Sequence, residues 1–357
     1  MAAEAGKKIA VVLMNLGGPD TLDAVQPFLL NLFKDPAIIG APTPVRWALA
    51  HFISRRRAPI AREIYRILGG GSPLLANTEA QARRLEEKLS SWGTVRCFIA
   101  MRYWHPFSEE AAKAVKAFAP DEVVLLPLYP QYSVSTTGSS VKAWQAAARK
   151  AGLSVPTHRV CCFPIEPGFV EAVADLIRPA LETAGATGSP RVLFSAHGLA
   201  KRQVERGDPY QRHVEASAAA VVERLAMPSL DWLVCYQSRV GPLEWLQPYT
   251  EDELERTAED KVPLVVVPIA FVSEHSETLV ELDIEYREEA AKLGVPDYVR
   301  VPTVGESAPF IDGLARLVSE ALSSRDVVCY ESDPADCPPD LKTARAALRY
   351  WHGCSAL

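Results

Sequence analysis

The segment LPLYPQYSVSTT at 126–137 aligns without a gap against VPIAFVSEHSET at 267–278, so that Val134 faces His275 and Thr136 faces Glu277. Two weaker matches agree with it. VLMNLGGP at 12–19 is similar to VLFSAHGL at 192–199, and Arg102 after one strand-like run matches Arg239 after another. Self-similarity of this kind reads as a duplicated unit.

Short β-branched runs bounded by Gly and Pro occur at 9–14, 95–101, 122–128, 191–195, 232–236 and 263–269, with helical patterns between them. Strands alternating with helices predict parallel sheets joined by crossover helices, an α/β fold in two similar halves. Helices are expected at 78–92, capped by Asn77 or Thr78, and at 108–119, 208–225 and 276–293. A further helix at 308–322 is free to pack on either half. The expected division is an N-terminal half over 1–155, a C-terminal half over 156–325 and an extension over 326–357.

Ligands of open parallel sheets sit beyond the carboxyl ends of the strands. At those ends the halves differ, because the second carries His197, His275 and Glu277 where the first has Gly17, Val134 and Thr136. Taken alone, His197 reads as a hydrogen-bonded structural residue. With His275 and Glu277 it makes three groups able to bind metal or move protons in one crevice. Glu277, Glu281 and Glu285 follow at i, i+4 and i+8, a row of carboxylates along one helix face. That row is either a solvated acidic surface or a path that carries cations in or protons out.

The 357 residues are 48% hydrophobic and 23% charged, with a formal net charge of −6. This is a globular composition, and the acidic balance argues against nucleic acid as a partner. No apolar run approaches the roughly 18 residues that cross a bilayer. The N-terminal run reads as a buried first strand, so a cytoplasmic protein is expected, attached to the inner membrane at most peripherally. Between 45 and 57, Trp47, Phe52 and Ile53 are interleaved with Arg46, Arg55, Arg56 and Arg57. That pattern suits an ordinary amphipathic helix, an anionic lipid surface or the carboxylates of an amphiphilic ligand.

Gly69-Gly70-Gly71-Ser72-Pro73 is followed by no Gly-Lys-Ser/Thr, and Asn15-Leu16-Gly17-Gly18-Pro19 lacks the third glycine and acidic partner of a dinucleotide site. The seven cysteines are an odd number, which argues against a disulfide framework. Cys329, Cys337 and Cys354 are spaced as in no compact metal motif and are expected to be unligated.

Several segments in order resemble the ferrochelatases over about residues 9–325: Asn15-Leu16-Gly17-Gly18-Pro19, GGGSP at 69–73, MRYWHP at 101–106, YPQYSVSTTGSS at 129–140, SAHGL at 195–199, RGDPY at 206–210, QSRVGPLEWL at 237–246 and SEHSETLVELDIEY at 273–286. The resemblance implies two Rossmann-like domains of the type II chelatase kind, with the active site in the cleft between them. It implies insertion of Fe²⁺ into protoporphyrin IX with release of two protons, iron being a substrate and no organic cofactor taking part. His197 and Glu277 would be the catalytic and metal-binding pair, with His275 and Glu274 as neighbours. Glu281 and Glu285 would continue the acidic row. Leu16, Arg102, Tyr103 and Trp245 would line the macrocycle, and Arg57, Tyr65 and Ser72 would hold propionates at the mouth. The segment at about 38–57 would be a lip resting on the membrane. A monomer or homodimer is expected.

The chain departs from the family pattern in two places. Ala200 stands where the histidine signature continues with proline. Val134 stands where cluster-bearing members have an internal cysteine, and their compact C-terminal cysteine group is absent, so a [2Fe-2S] cluster is not expected unless the fold brings Cys161 or Cys162 near the C-terminus. The alternatives are a ferrochelatase acting on coproporphyrin III, a cobalt or nickel chelatase for a different tetrapyrrole, and a non-catalytic two-lobed haem- or metal-binding protein.

Overall fold

The computed structural model describes residues 6–239, 243–324 and 327–329. Cys337, Cys354 and nearly all of the expected extension lie outside these residues. One parallel sheet has the order β2 (Thr94–Met101), β1 (Lys8–Asn15), β3 (Glu122–Pro127), β4 (Thr157–Cys162), β9 (Val328–Cys329). The other, also parallel, has the order β6 (Asp231–Gln237), β5 (Arg191–His197), β7 (Leu264–Pro268), β8 (Tyr298–Arg300). The first four strands and the next four thus take the same places in their sheets. In each half a π-helical segment follows the third strand, at Val134–Gly138 and Glu277–Glu285. The repeat at 126–137 and 267–278 is therefore a repeat of topology.

The central strands are apolar throughout because helices cover both sheet faces; β1 is buried from Ile9 to Asn15 and β7 along its whole length. The short strands β4, β8 and β9 were not anticipated. β4 opens with Thr157, His158 and Arg159, β8 has three residues and β9 two, too few for a pattern. Since β4 pairs with β3, the first sheet extends past the expected division at residue 155.

The helices in chain order are α1 (Val25–Lys34), α2 (Thr43–Ile67), α3 (Leu74–Leu89), α4 (Ser108–Phe118), α5 (Ser139–Ala151), α6 (Pro167–Ala184), α7 (Lys201–Glu205), α8 (Tyr210–Leu225), α9 (Thr250–Asp260), α10 (Tyr286–Leu293) and α11 (Ala308–Ser323). The helix expected at 78–92 starts a turn earlier, behind Pro73, because Asn77 and Thr78 bond elsewhere instead of capping. The helix expected over 276–293 divides into the π-helical segment and α10. Nine residues of mixed polarity do not separate a 3.6-residue period from a wider one. Helix α11 packs on α3 and α6, and one apolar core joins residues of β1, α3, α6, α11, β5 and β7. Among the described residues, no helix is long and apolar enough to cross a membrane.

Candidate active site

Strand β5 delivers His197 to the carboxyl edge of the second sheet, beside Gln237 at the end of β6. The ring Nδ1 lies 2.7 Å from the Gly198 carbonyl. A carbonyl only accepts, so Nδ1 is the donor, and in the neutral tautomer that this bond selects the lone pair is on Nε2. Nε2 faces Oε2 of Glu277 at 3.9 Å, and that buried oxygen has no hydrogen-bond partner among the described residues. Two donor atoms, each about 2.1 Å from one divalent ion, stand roughly 3 to 4 Å apart as the angle between them opens. The gap between His197 and Glu277 falls in that range.

The loop after β7 brings His275 next to this pair. Its Nδ1 accepts from the backbone N–H groups of Glu277 at 3.2 Å and Thr278 at 3.3 Å, capping the π-helical segment. Burial lowers its basicity, opposed by the Glu277 and Glu274 carboxylates. Glu274 is tied down by Arg300 at 2.8 Å and the Thr303 N–H at 3.0 Å. The acidic row leads outward, from half-buried Glu277 and Glu281 to exposed Glu285. Burial raises the Glu281 carboxyl to about 7, the Glu277 charge adds to it, and bonds from Ser238 at 2.5 Å and Gln237 at 3.2 Å hold it down.

Among the other residues expected at the site, Arg102 is held by two acceptors. Its Nε donates to Ser139 Oγ at 2.7 Å and its Nη2 to Asp35 Oδ2 at 2.6 Å. Tyr103 is wholly buried, with its hydroxyl donating to Asp35, and burial pushes that hydroxyl far above its ordinary range. Leu16 is half-buried, its N–H bonded to Asn15 Oδ1 at 2.8 Å. Trp245 bridges to Ala200 and packs over Gly198. Ala200 itself has φ −62°, the value proline would impose, so this turn forms without the ring.

Arg57 is exposed on α2, whereas Tyr65 is buried and bonded to the Ser276 side chain. Burial, set against that bond, raises the Tyr65 hydroxyl to about 12. The Ser72 hydroxyl accepts from the Leu74 N–H at 3.3 Å. The glycine segments around Ser72 serve packing: a Cβ on Gly71 would meet the Asp20 carbonyl at 2.5 Å, and one on Gly18 the Ser72 side chain at 2.5 Å. Sequence reasoning gave no role to Asp35, which lies in none of the quoted segments, nor to Ser139, Gln237 and Ser238, which lie in segments quoted only for the family resemblance.

In the first sheet, β9 lays Cys329 beside Cys161 and Cys162 of β4. Their three Sγ atoms lie within 4.8 Å of one another. The linear spacing of the cysteines concealed this grouping, because strand pairing makes it.

The ferrochelatase family model matches residues 8–322. A ferrochelatase of Caulobacter vibrioides is 54% identical over 319 residues, covering 88% of this chain and 91% of that one. One of Hyphomonas neptunium is 48% identical over 356 residues, covering 98% and 95%. Among solved structures the chain is similar to SirB from Bacillus subtilis with Fe³⁺, at a TM-score of 0.53 and 14% identity over 88% of this chain and 95% of that one, a likeness of fold. Matched across both sheets and about half identical to curated relatives over most of its length, the chain belongs to the ferrochelatases, the metal chelatases that insert iron into a porphyrin in haem biosynthesis.

Proposed function

We propose that the porphyrin is protoporphyrin IX, that His197 and Glu277 carry the insertion of Fe²⁺, and that the product is protohaem. The observation that carries this reading is the 3.9 Å gap between Nε2 of His197 and the unpartnered Oε2 of Glu277. Insertion requires removal of two pyrrole protons and of the hydration shell of the ion. His197, with its lone pair on Nε2, takes pyrrole protons, while Glu277 supplies an oxygen ligand and a charge that favours the dication. Protons leave, or iron enters, along Glu281 and Glu285. Leu16, Arg102, Tyr103 and Trp245 support the macrocycle, His275 lies against it, and Arg57, Tyr65 and Ser72 meet its propionates. Anaerobic incubation with Fe²⁺ and protoporphyrin IX, followed by loss of porphyrin fluorescence, tests it. Multiple turnovers should vanish in His197→Ala while porphyrin binding stays; retained turnover overturns the assignment, and a strong preference for coproporphyrin III overturns the substrate.

The lip would rest on a membrane surface. On α2, Val45, Leu49, Phe52, Ile60 and Ile67 are exposed along one stripe at helical spacing, and Trp47 is exposed on another face of the same helix. No acidic residue occurs from 36 to 62, a stretch with five arginines. An apolar stripe flanked by positive charge suits anionic lipid and a peripheral site at the cytoplasmic face.

A second reading concerns the cysteines. Cys161, Cys162 and Cys329 supply three of the four thiolates that a [2Fe-2S] cluster takes, and their proximity favours a cluster where the linear sequence argued against one. Such a group would add electron chemistry.

A further inference from the structure

The loop that carries His275 into Glu277 belongs to the second half, yet some of its polar partners come from the first. Gln81 is wholly buried in the middle of the inward face of α3, among Leu74, Thr78, Leu85 and Leu89. Its side-chain amide is used at both ends. Nε2 donates to the carbonyls of Val272 at 2.9 Å and Gly305 at 3.0 Å, while Oε1 accepts from Ser273 Oγ at 3.0 Å. One turn earlier, Asn77 Nδ2 donates to the Glu274 carbonyl at 3.0 Å. Between them Thr78 Oγ1 accepts from Asn15 Nδ2 at 3.1 Å, and Asn15 Oδ1 holds the N–H of Leu16.

Helix α3 thus bonds on one side to the strand end that sets Leu16, and on the other to the loop that sets His275 and Glu277. An irregular loop at a buried interface has backbone carbonyls that need partners; an apolar side chain at 81 would take the amide donor from the Gly305 carbonyl and leave the Val272 carbonyl only its bond from the Gly305 N–H at 3.1 Å. We propose that Gln81 and Asn77 are positioning residues for metal insertion: from the N-terminal half they fix where the loop at 272–276 enters the π-helical segment, and so hold Glu277 at its distance from His197. This rests on the roles given above to His197 and Glu277. Neither Gln81 nor Asn77 touches the reacting atoms. Their effect passes through the loop, and displacements of about 1 Å at a reacting centre cost up to about a hundredfold in rate.

The test compares Gln81→Met, which keeps the length of the side chain and loses its bonds, with Asn77→Ala, which removes a single bond. Exposed Glu79→Ala on the same helix serves as control. Iron insertion, porphyrin affinity by fluorescence titration and melting temperature are measured for each full-length protein, with activity read well below every melting temperature. Gln81→Met should lower kcat by about ten- to a hundredfold and Asn77→Ala by less, with porphyrin affinity within about twofold of the parent and Glu79→Ala unchanged. Lower melting temperatures with kcat unchanged in both variants would overturn the proposal and leave Gln81 a structural residue. Should Gln81→Met not fold, Asn77→Ala decides alone, since its loop bond is absent and the Gln81 bonds remain. Turnover by His197→Ala would instead show that the reading of the site had failed.

Discussion

Nη2 of Arg102 donates to Oδ2 of Asp35 at 2.6 Å across a separation of 67 residues. The same carboxylate accepts from the hydroxyls of Tyr103 and Ser139. Its Oδ1 accepts from the Ala37 N–H at 2.8 Å, and Asp35 is 4% exposed, so four donors lose a buried acceptor if it is removed. Asp35→Ala should therefore cost about 3 kcal/mol of stability in denaturant unfolding, and it should weaken porphyrin binding through a disordered Arg102. A loss below about 0.5 kcal/mol, the range of a surface change, would show that this network does not hold Arg102.

Glu281 makes stability depend on pH with a definite sign. In the folded protein its carboxyl holds a proton up to about 7, whereas in the unfolded chain it ionises near the ordinary value of 4.5. Between those values the folded state binds more protons, so stability falls as pH rises through the window and levels off above it. Relative to Glu281→Gln, the melting temperature of the parent should fall as pH rises from 4.5 to 7. Asp208, whose carboxyl is also raised by burial, acts in the same sense and His275, whose basicity burial lowers, in the opposite one, and both are common to the two proteins. Parallel curves would remove Glu281 as the source.

The exposed stripe of α2 predicts sedimentation with vesicles of phosphatidylglycerol and much weaker sedimentation with phosphatidylcholine. The difference should shrink as salt is raised. Trp47→Glu with Phe52→Glu should abolish the association and leave the unfolding free energy within about 0.5 kcal/mol, since both side chains are exposed. Equal binding by parent and double variant would disprove the lip assignment.

If Cys161, Cys162 and Cys329 hold a cluster, anaerobically purified protein should contain iron and acid-labile sulfide in equal amounts and absorb in the visible. Cys162→Ser should lose both signals. Protein free of metal and sulfide after reconstitution under reducing conditions would rule the cluster out.

The sequence by itself determined the repeat, the six long strands, the α/β class and the chemistry-bearing groups at the ends of β5 and β7. Those features are local: burial on both faces makes a strand uniformly apolar, and strand ends are marked by the residues that follow. His197, His275 and Glu277 were legible for that reason, and the extended resemblance to ferrochelatases added the residues proposed to line the macrocycle. Only the tertiary structure decided which residues support them. Asp35 behind Arg102, Gln81 beneath the loop at 272–276, and Cys329 beside Cys161 and Cys162 are joined by packing between elements far apart in the chain. Nothing in the local pattern marks them, because a buried side-chain amide or carboxylate is stabilised by partners supplied only when helices and sheets close on one another.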